Sequence, residues 1–371
     1  MVEKIVVEIY KMELCREIGE AGFMRKYYLD NLRSFTILLL FPVHTFMIWN
    51  DFGLKFYVWG GDNRIISTLI VLINPWFMPL LFVIAGVSAG YSLEKRSIKE
   101  FCMERVNKLF VPFVAGTVIL VPIQTFYARK FFFGYEGGIL ENLKYFFTHV
   151  TDFTGYDGGF TPGQLWFILF LFVISLVSLI FMKWLPVERC EAFISQMPLW
   201  ALIGLFVPVW LFYYLGNIGG FSLGKNLVLY LLGYYVLADD SVMERLRKHI
   251  KRIGAVWGIS ELLLAAAYYR YAFYGDLAVN VVCWLGILTL FVLGKEYLNK
   301  ETAFTKYFRK ASFPDYVIHQ SVLVALGYYV LKGVDNLLLQ VIVIICSSFV
   351  ITVLCYEIVR RIPVLRKLVG A

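Results

Sequence analysis

Four histidines occur in the 371-residue sequence, and two of them, His44 and His319, fall inside long apolar runs. A neutral imidazole accepts a proton readily, and its ordinary titration range suits a general base near neutral pH. Arg33 precedes His44 by 11 residues. Eleven residues are almost three helical turns, so a straight helix would put both side chains on one side, about 16 Å apart along the axis. Arg33 then marks the inner mouth of a membrane helix and His44 lies near its middle. An ionisable group at that depth is costly and is a functional candidate by default. Pro42 should bend this helix and open backbone carbonyls beside His44. The same residues also fit a histidine satisfied by neighbouring helices and an arginine that only marks a helix end.

His319 stands in Phe313-Pro314-Asp315-Tyr316-Val317-Ile318-His319-Gln320. Asp315 is four residues earlier, so the two can meet on one helix face, where a carboxylate would fix the imidazole tautomer. The alternative is a carboxylate favoured by the helix dipole and a histidine at a helix interface. Glu261 is the other acid at depth, either the partner of an arginine or the mark of a polar cavity. Gln124, Asn74 and Gln164 are polar residues in or beside apolar runs, of the kind that often join helices. His149 and His249 read as surface residues.

The elements that position these groups follow from composition. Apolar residues make up 60%, charged residues 17%, and the mean hydropathy is +0.70. A soluble domain is usually nearer half apolar and a quarter charged, so the surplus needs lipid as solvent. Runs long enough to span a bilayer occur at 32–50, 65–93, 109–128, 164–183, 198–215, 221–238, 254–270, 277–294, 313–331 and 337–358. The run at 65–93 holds Asn74, Pro75 and Pro79 and should be kinked or broken. With the N-terminus inside, 27 of the 35 Lys and Arg fall in inner segments, as the positive-inside rule requires. The expected fold is therefore all-α: a polytopic inner-membrane protein of about ten transmembrane helices with both termini cytoplasmic. It divides into an interfacial segment 1–30, a transmembrane domain 31–358 and a basic tail 359–371. Ile5–Leu14 fits a short amphipathic surface helix, and Met1, Met12 and Met24 are alternative starts. The outer segment 129–163 is long enough to be functional, either covering an outer cleft or lying on the bilayer.

The formal charge of +8 is accounted for by orientation, so nucleic acid is not an expected partner. The six cysteines form no C-x-x-C pair, and neither a disulfide framework nor a metal site is expected. No phosphate loop, dinucleotide motif, H-E-x-x-H or G-x-S-x-G occurs. The basic inner loops could bind an anionic cosubstrate such as a CoA nucleotide.

Five stretches, in order, resemble the acyltransferase type 3 family of membrane O-acyltransferases. Tyr28 to Arg33, followed by His44, is similar to that family's Arg–ten residues–His signature. Phe77 to Gly86 resembles its second-helix segment, Phe101 to Pro112 the approach to its third helix, Gly163 to Ile168 its Leu-Trp-Phe motif, and Phe313 to Gln320 its late His-Gln segment. Val121 to Tyr127 leans toward the branch containing the succinyltransferase of periplasmic glucans. Ala85, Lys108 and Gln164 depart from the usual residues, and Lys108 in place of Arg weakens bidentate phosphate binding.

The resemblance implies transfer of an acetyl or succinyl group from cytoplasmic acyl-CoA to a hydroxyl of an extracytoplasmic glycan. His44 would be the base, and Arg33, with Arg105 and Lys108, would hold the CoA phosphates. His319 and Asp315, with Gln164, Trp166 and Glu261, would line a polar path between the two faces. Membrane lipid, acyl-CoA and an envelope acceptor are the expected partners, with no metal. Intramembrane His, Asp and Glu also serve proton relays, so the rival class is a proton-coupled transporter or flippase.

Overall fold

In the computed structural model, residues 26–53, 55–218 and 220–370 are described. Ile5–Leu14, Met12 and Met24 lie outside them. The described chain is helical apart from one antiparallel pair of two-residue strands, Asn217–Ile218 with Phe221–Ser222. Helices stand on all ten expected apolar runs. We number them α1 (Tyr27–Trp49), α2 (Arg64–Val71), α3 (Phe77–Leu93), α4 (Ile98–Phe133), α5 (Ile139–Thr148), α6 (Gly163–Trp184), α7 (Val187–Ser195), α8 (Leu199–Tyr214) and α9 (Leu223–Leu237). There follow α10 (Asp240–Lys248), α11 (Ile250–Tyr271), α12 (Asp276–Tyr297), α13 (Ala303–Gly333), α14 (Leu337–Val359) and α15 (Pro363–Leu368). Among the described residues, α1, α4, α6, α12 and α14 are each long and apolar enough to cross a membrane. The apolar helices α3, α8 and α9 are shorter.

Prolines set where the long helices bend. Each removes the N–H that would bond the carbonyl four residues back, and its ring crowds that carbonyl. Pro42 faces Leu38, and α1 is interrupted at Leu39. Pro122 faces Val118, and α4 is interrupted at Leu120; Pro208 faces Gly204, and α8 is interrupted at Leu205. Pro112 faces Lys108 inside a π-helical turn, Val106–Phe110. The run at 65–93 is broken as expected, with five turn residues between α2 and α3. Pro314 is the exception, since α13 is assigned as helix straight through it.

The 31 residues of α13 extend about 47 Å and pack against α14, α1 and the second half of α4. A second unit forms where α3 crosses α9. A Cβ on Gly86 would lie 1.9 Å from the Tyr230 carbonyl oxygen, and one on Gly233 would lie 2.3 Å from that of Val83. The two backbones therefore touch, and only glycine fits at the crossing. Membrane helices use small residues this way because lipid supplies little hydrophobic drive for their association.

Gly86→Ala should destabilise the detergent-solubilised protein by about 2 kcal/mol through overpacking, read as a lowered thermal midpoint. Gly90→Ala is the control. Its Cβ would meet only the Tyr234 ring, at 3.5 Å, and it should leave the midpoint nearly unchanged.

Candidate active site

The first helix and α13 bring the two intramembrane histidines together. Their ring centroids are 5.2 Å apart, with planes tilted by 38°. His319 is fully buried. Its Nδ1 lies 2.7 Å from the carbonyl oxygen of Tyr316. A carbonyl can only accept, so Nδ1 carries the proton and Nε2 is left with its lone pair. Nε2 is buried and has no hydrogen-bond partner among the described residues, and the same is true of His44 Nδ1. Two imidazoles thus meet with unsatisfied nitrogens in an apolar surround, an arrangement suited to holding a hydroxyl and taking its proton.

Aromatic rings enclose this pair. Phe41 meets His319 edge-on at 5.7 Å, and Phe56 stacks on His44 at 6.1 Å. Phe56 and Tyr57 are in turn covered by Tyr156 from the 129–163 segment, and the Tyr57 hydroxyl donates to the Thr154 carbonyl. Of the two expectations for that segment, the structure favours the cover. Phe56, Tyr57 and Tyr156 were not legible as site residues, because aromatic loop residues next to a membrane usually mark only the interface.

A buried amide network fixes α13 beside the pair. Gln124 on α4 donates to Gln164 Oε1 at 2.8 Å and to Ser321 Oγ at 3.0 Å, and accepts from Gln320 at 2.9 Å. Gln164 donates to the Val317 carbonyl at 3.0 Å, and Ser321 donates to that of Leu120 at 2.9 Å. The Tyr316 hydroxyl bonds the Gln164 carbonyl. Gln124 is therefore a hub joining three helices. The sequence signal was present, a glutamine within an apolar run, but it did not say which helices would be joined.

The other candidates are placed separately. Arg33 pairs with Asp30 at 3.1 Å and reaches Ser88 on α3, whereas His44 faces α13. The break at Leu39 turns the two residues toward different neighbours, unlike the straight-helix expectation. Arg105 lies over the Phe101 ring at 4.5 Å, and its buried Nε has no partner among the described residues. Lys108 is paired with Glu104 at 2.8 Å. Asp315 is fully buried, but neither of its carboxylate oxygens has a hydrogen-bond partner among the described residues. It does not hold His319 as the four-residue spacing had led us to expect. The Tyr316 carbonyl, one turn back, takes the imidazole proton without bringing a charge to it. Trp166 stacks on Phe221 at 3.7 Å, in an aromatic rather than polar setting. Glu261 accepts from the Trp257 indole at 2.7 Å, and no arginine pairs with it among the described residues. No cluster of metal-ligating side chains occurs among them either.

Comparison with known proteins bears on this geometry. A family model described as an acyltransferase domain matches residues 26–357. Glucans biosynthesis protein C of Salmonella gallinarum is 22% identical over 381 residues, covering 92% of this chain and 94% of that protein. Glucans biosynthesis protein C of Salmonella typhi is similar to the same extent. No solved structure matches.

Gln124→Leu removes the hub while keeping its bulk, and leaves Gln320, Gln164 and Ser321 short of partners. Buried polar groups so orphaned cost about 2 kcal/mol, which should appear as a lower thermal midpoint. An unchanged midpoint would mean that the network adds nothing to stability.

Proposed function

We propose, from the premise that this chain belongs to the acyltransferase type 3 family, that it moves an acetyl or succinyl group from acyl-CoA to a glycan hydroxyl. Acyl transfer as such follows from the family. Donor, acceptor and sidedness are our reading, and the observation that carries it is the meeting of His44 with the buried His319. The protein sits in the inner membrane, crosses it about ten times and keeps both termini in the cytoplasm. The distribution of Lys and Arg supports that orientation.

In this reading the acceptor hydroxyl enters between the imidazoles. His44 is the base, and His319 is oriented by the Tyr316 carbonyl, as a catalytic imidazole is oriented by a third group elsewhere. One imidazole takes the hydroxyl proton as the oxygen attacks the thioester carbon. The carbon–sulfur bond breaks, and the CoA thiolate leaves and is reprotonated. The acyl group then resides on the glycan oxygen as an ester. Arg33 and Arg105 supply positive charge toward the inner face for the CoA phosphates. Lys108 contributes as a point charge rather than a bidentate fork, and it shares Glu104 with Arg96. Phe41, Phe56 and Tyr156 exclude water, which would otherwise hydrolyse the thioester. A glycan acceptor is in keeping with the name of the Salmonella relatives.

The test is release of CoA thiol from acetyl-CoA or succinyl-CoA by purified protein supplied with a glucan acceptor. His44→Ala and His319→Ala should each lower turnover by at least about 100-fold, the usual contribution of a positioned base, while retaining the wild-type thermal midpoint. Full turnover in His44→Ala would remove it as the base and leave His319 in that role. No release from either donor by wild type would sink the acyl-CoA reading.

A further inference from the structure

Beyond the histidine pair, three segments of the proposed outer face converge on an open cleft of ≈ 540 Å³. The segments 51–64 and 332–336 meet there, together with the end of α4 at Phe131. The sequence pattern placed all three on the same side of the membrane. The floor and walls combine aromatic rings, Trp49, Trp59 and Phe131, with the carboxylates of Asp62 and Asp335 and the amide of Gln340.

Each part has an identifiable cause. Gly60 has no side chain, and a Cβ there would lie 2.1 Å from Trp49 Nε1. The glycine therefore lets the indole edge lie against the cleft wall, and the backbone is tied by Gly60 N–H to the Ile48 carbonyl and by Asn63 N–H to that of Trp49. The Trp59 ring is half-exposed, with Lys55 Nζ 5.3 Å from its centroid. Asp62 and Asp335 are exposed acceptors. Gln340 gives one amide N–H to the Val334 carbonyl, so its second N–H can donate and its carbonyl oxygen can accept. The Asn63 side chain is already committed, capping α2 at Ile66 N–H.

We infer that this cleft is a binding subsite for a neutral sugar unit of an extended glycan acceptor, a reading that rests on the function proposed above. Hexose rings have an apolar C–H face and a rim of hydroxyls. The half-exposed rings of Trp59 and Phe131 match the first, with buried Trp49 backing the wall, and the carboxylate and amide groups match the second. The two exposed carboxylates in the lining disfavour a phosphorylated or carboxylated sugar. Trp49 lies five residues beyond His44, and Leu331 lies twelve beyond His319. At 1.5 Å per residue the cleft is about 8 to 18 Å from the reacting pair. Phe56, Tyr57 and Leu323 pack in one buried cluster with Trp49 of the cleft. A single sugar cannot occupy both places. The cleft therefore holds a unit distant from the one that is acylated, and selects oligomeric over monomeric acceptors.

The experiment is calorimetric binding of glucose and of a long neutral glucan oligosaccharide to the full-length protein in detergent, alongside CoA release with the same acceptors. Wild type should bind the oligosaccharide and discriminate against glucose. Trp59→Ala should weaken oligosaccharide binding about tenfold, Trp59→Phe should restore most of it, and Asp335→Asn should weaken it while leaving the protein folded. Variants that bind like wild type would overturn the subsite, as would a wild type that binds neither ligand. Oligosaccharide binding that is lost in Trp59→Ala, in a protein that releases no CoA with that acceptor, would uphold the cleft and overturn the acyl-transfer reading instead.

Discussion

One amide holds the histidine-bearing half of this protein together. Gln124 bonds Gln164, Gln320 and Ser321 at once, tying α4, α6 and α13 by groups that lipid cannot replace. Away from water, a donor or acceptor that loses its partner has no solvent to turn to, so the three helices hold a common register or all bear the cost. The turn of α13 that carries Val317, Gln320 and Ser321 also carries His319. Fixing the first three fixes the imidazole, whose own Nδ1 then finds the Tyr316 carbonyl.

That register matters because α1 is not a rigid rod. Its break at Leu39, which Pro42 makes necessary, separates the turn bearing Arg33 from the turn bearing His44. Arg33 on the inner half reaches Ser88 on α3, and His44 on the outer half meets His319 on α13. One helix thus serves two neighbours, with a cation directed to one and a base to the other. The glycine crossing of α3 with α9 sets the position of the first neighbour, and the glutamine hub sets that of the second.

Most of the helices were legible from hydrophobic runs, and the bends at Pro42 and within 65–93 were legible from their prolines; those near Pro112, Pro122 and Pro208 obey the same rule but were not read in advance. The two histidines were legible because ionisable groups are rare at such depth. Their meeting was not, since it depends on which helices adjoin, and apolar runs look alike in that respect. Asp315 shows the same limit from the other side. A four-residue spacing permits contact with His319 but does not compel it, and a backbone carbonyl of the same helix took the proton instead. The enclosing rings Phe56 and Tyr156 come from loops, whose burial a linear pattern does not encode.

Neutral imidazoles are well matched to this setting. A carboxylate base would carry charge into an apolar enclosure before any substrate arrived, at the full cost of its desolvation. An imidazole is buried uncharged and acquires charge only as the hydroxyl proton is transferred, when the developing oxyanion is there to compensate it. The enclosure by Phe41, Phe56 and Tyr156 therefore serves two ends at once. In the proposed reaction it withholds water from the thioester, and it makes the charge separation of proton transfer depend on the bound acceptor rather than on solvent. His319 is fully buried, so an acceptor hydroxyl reaches it only if the aromatic cover moves. On the proposed orientation the aromatic cover belongs to the outer loops, so the acceptor, and not the donor, has to displace it. That asymmetry ties exposure of the histidines to arrival of the hydroxyl that is to be acylated.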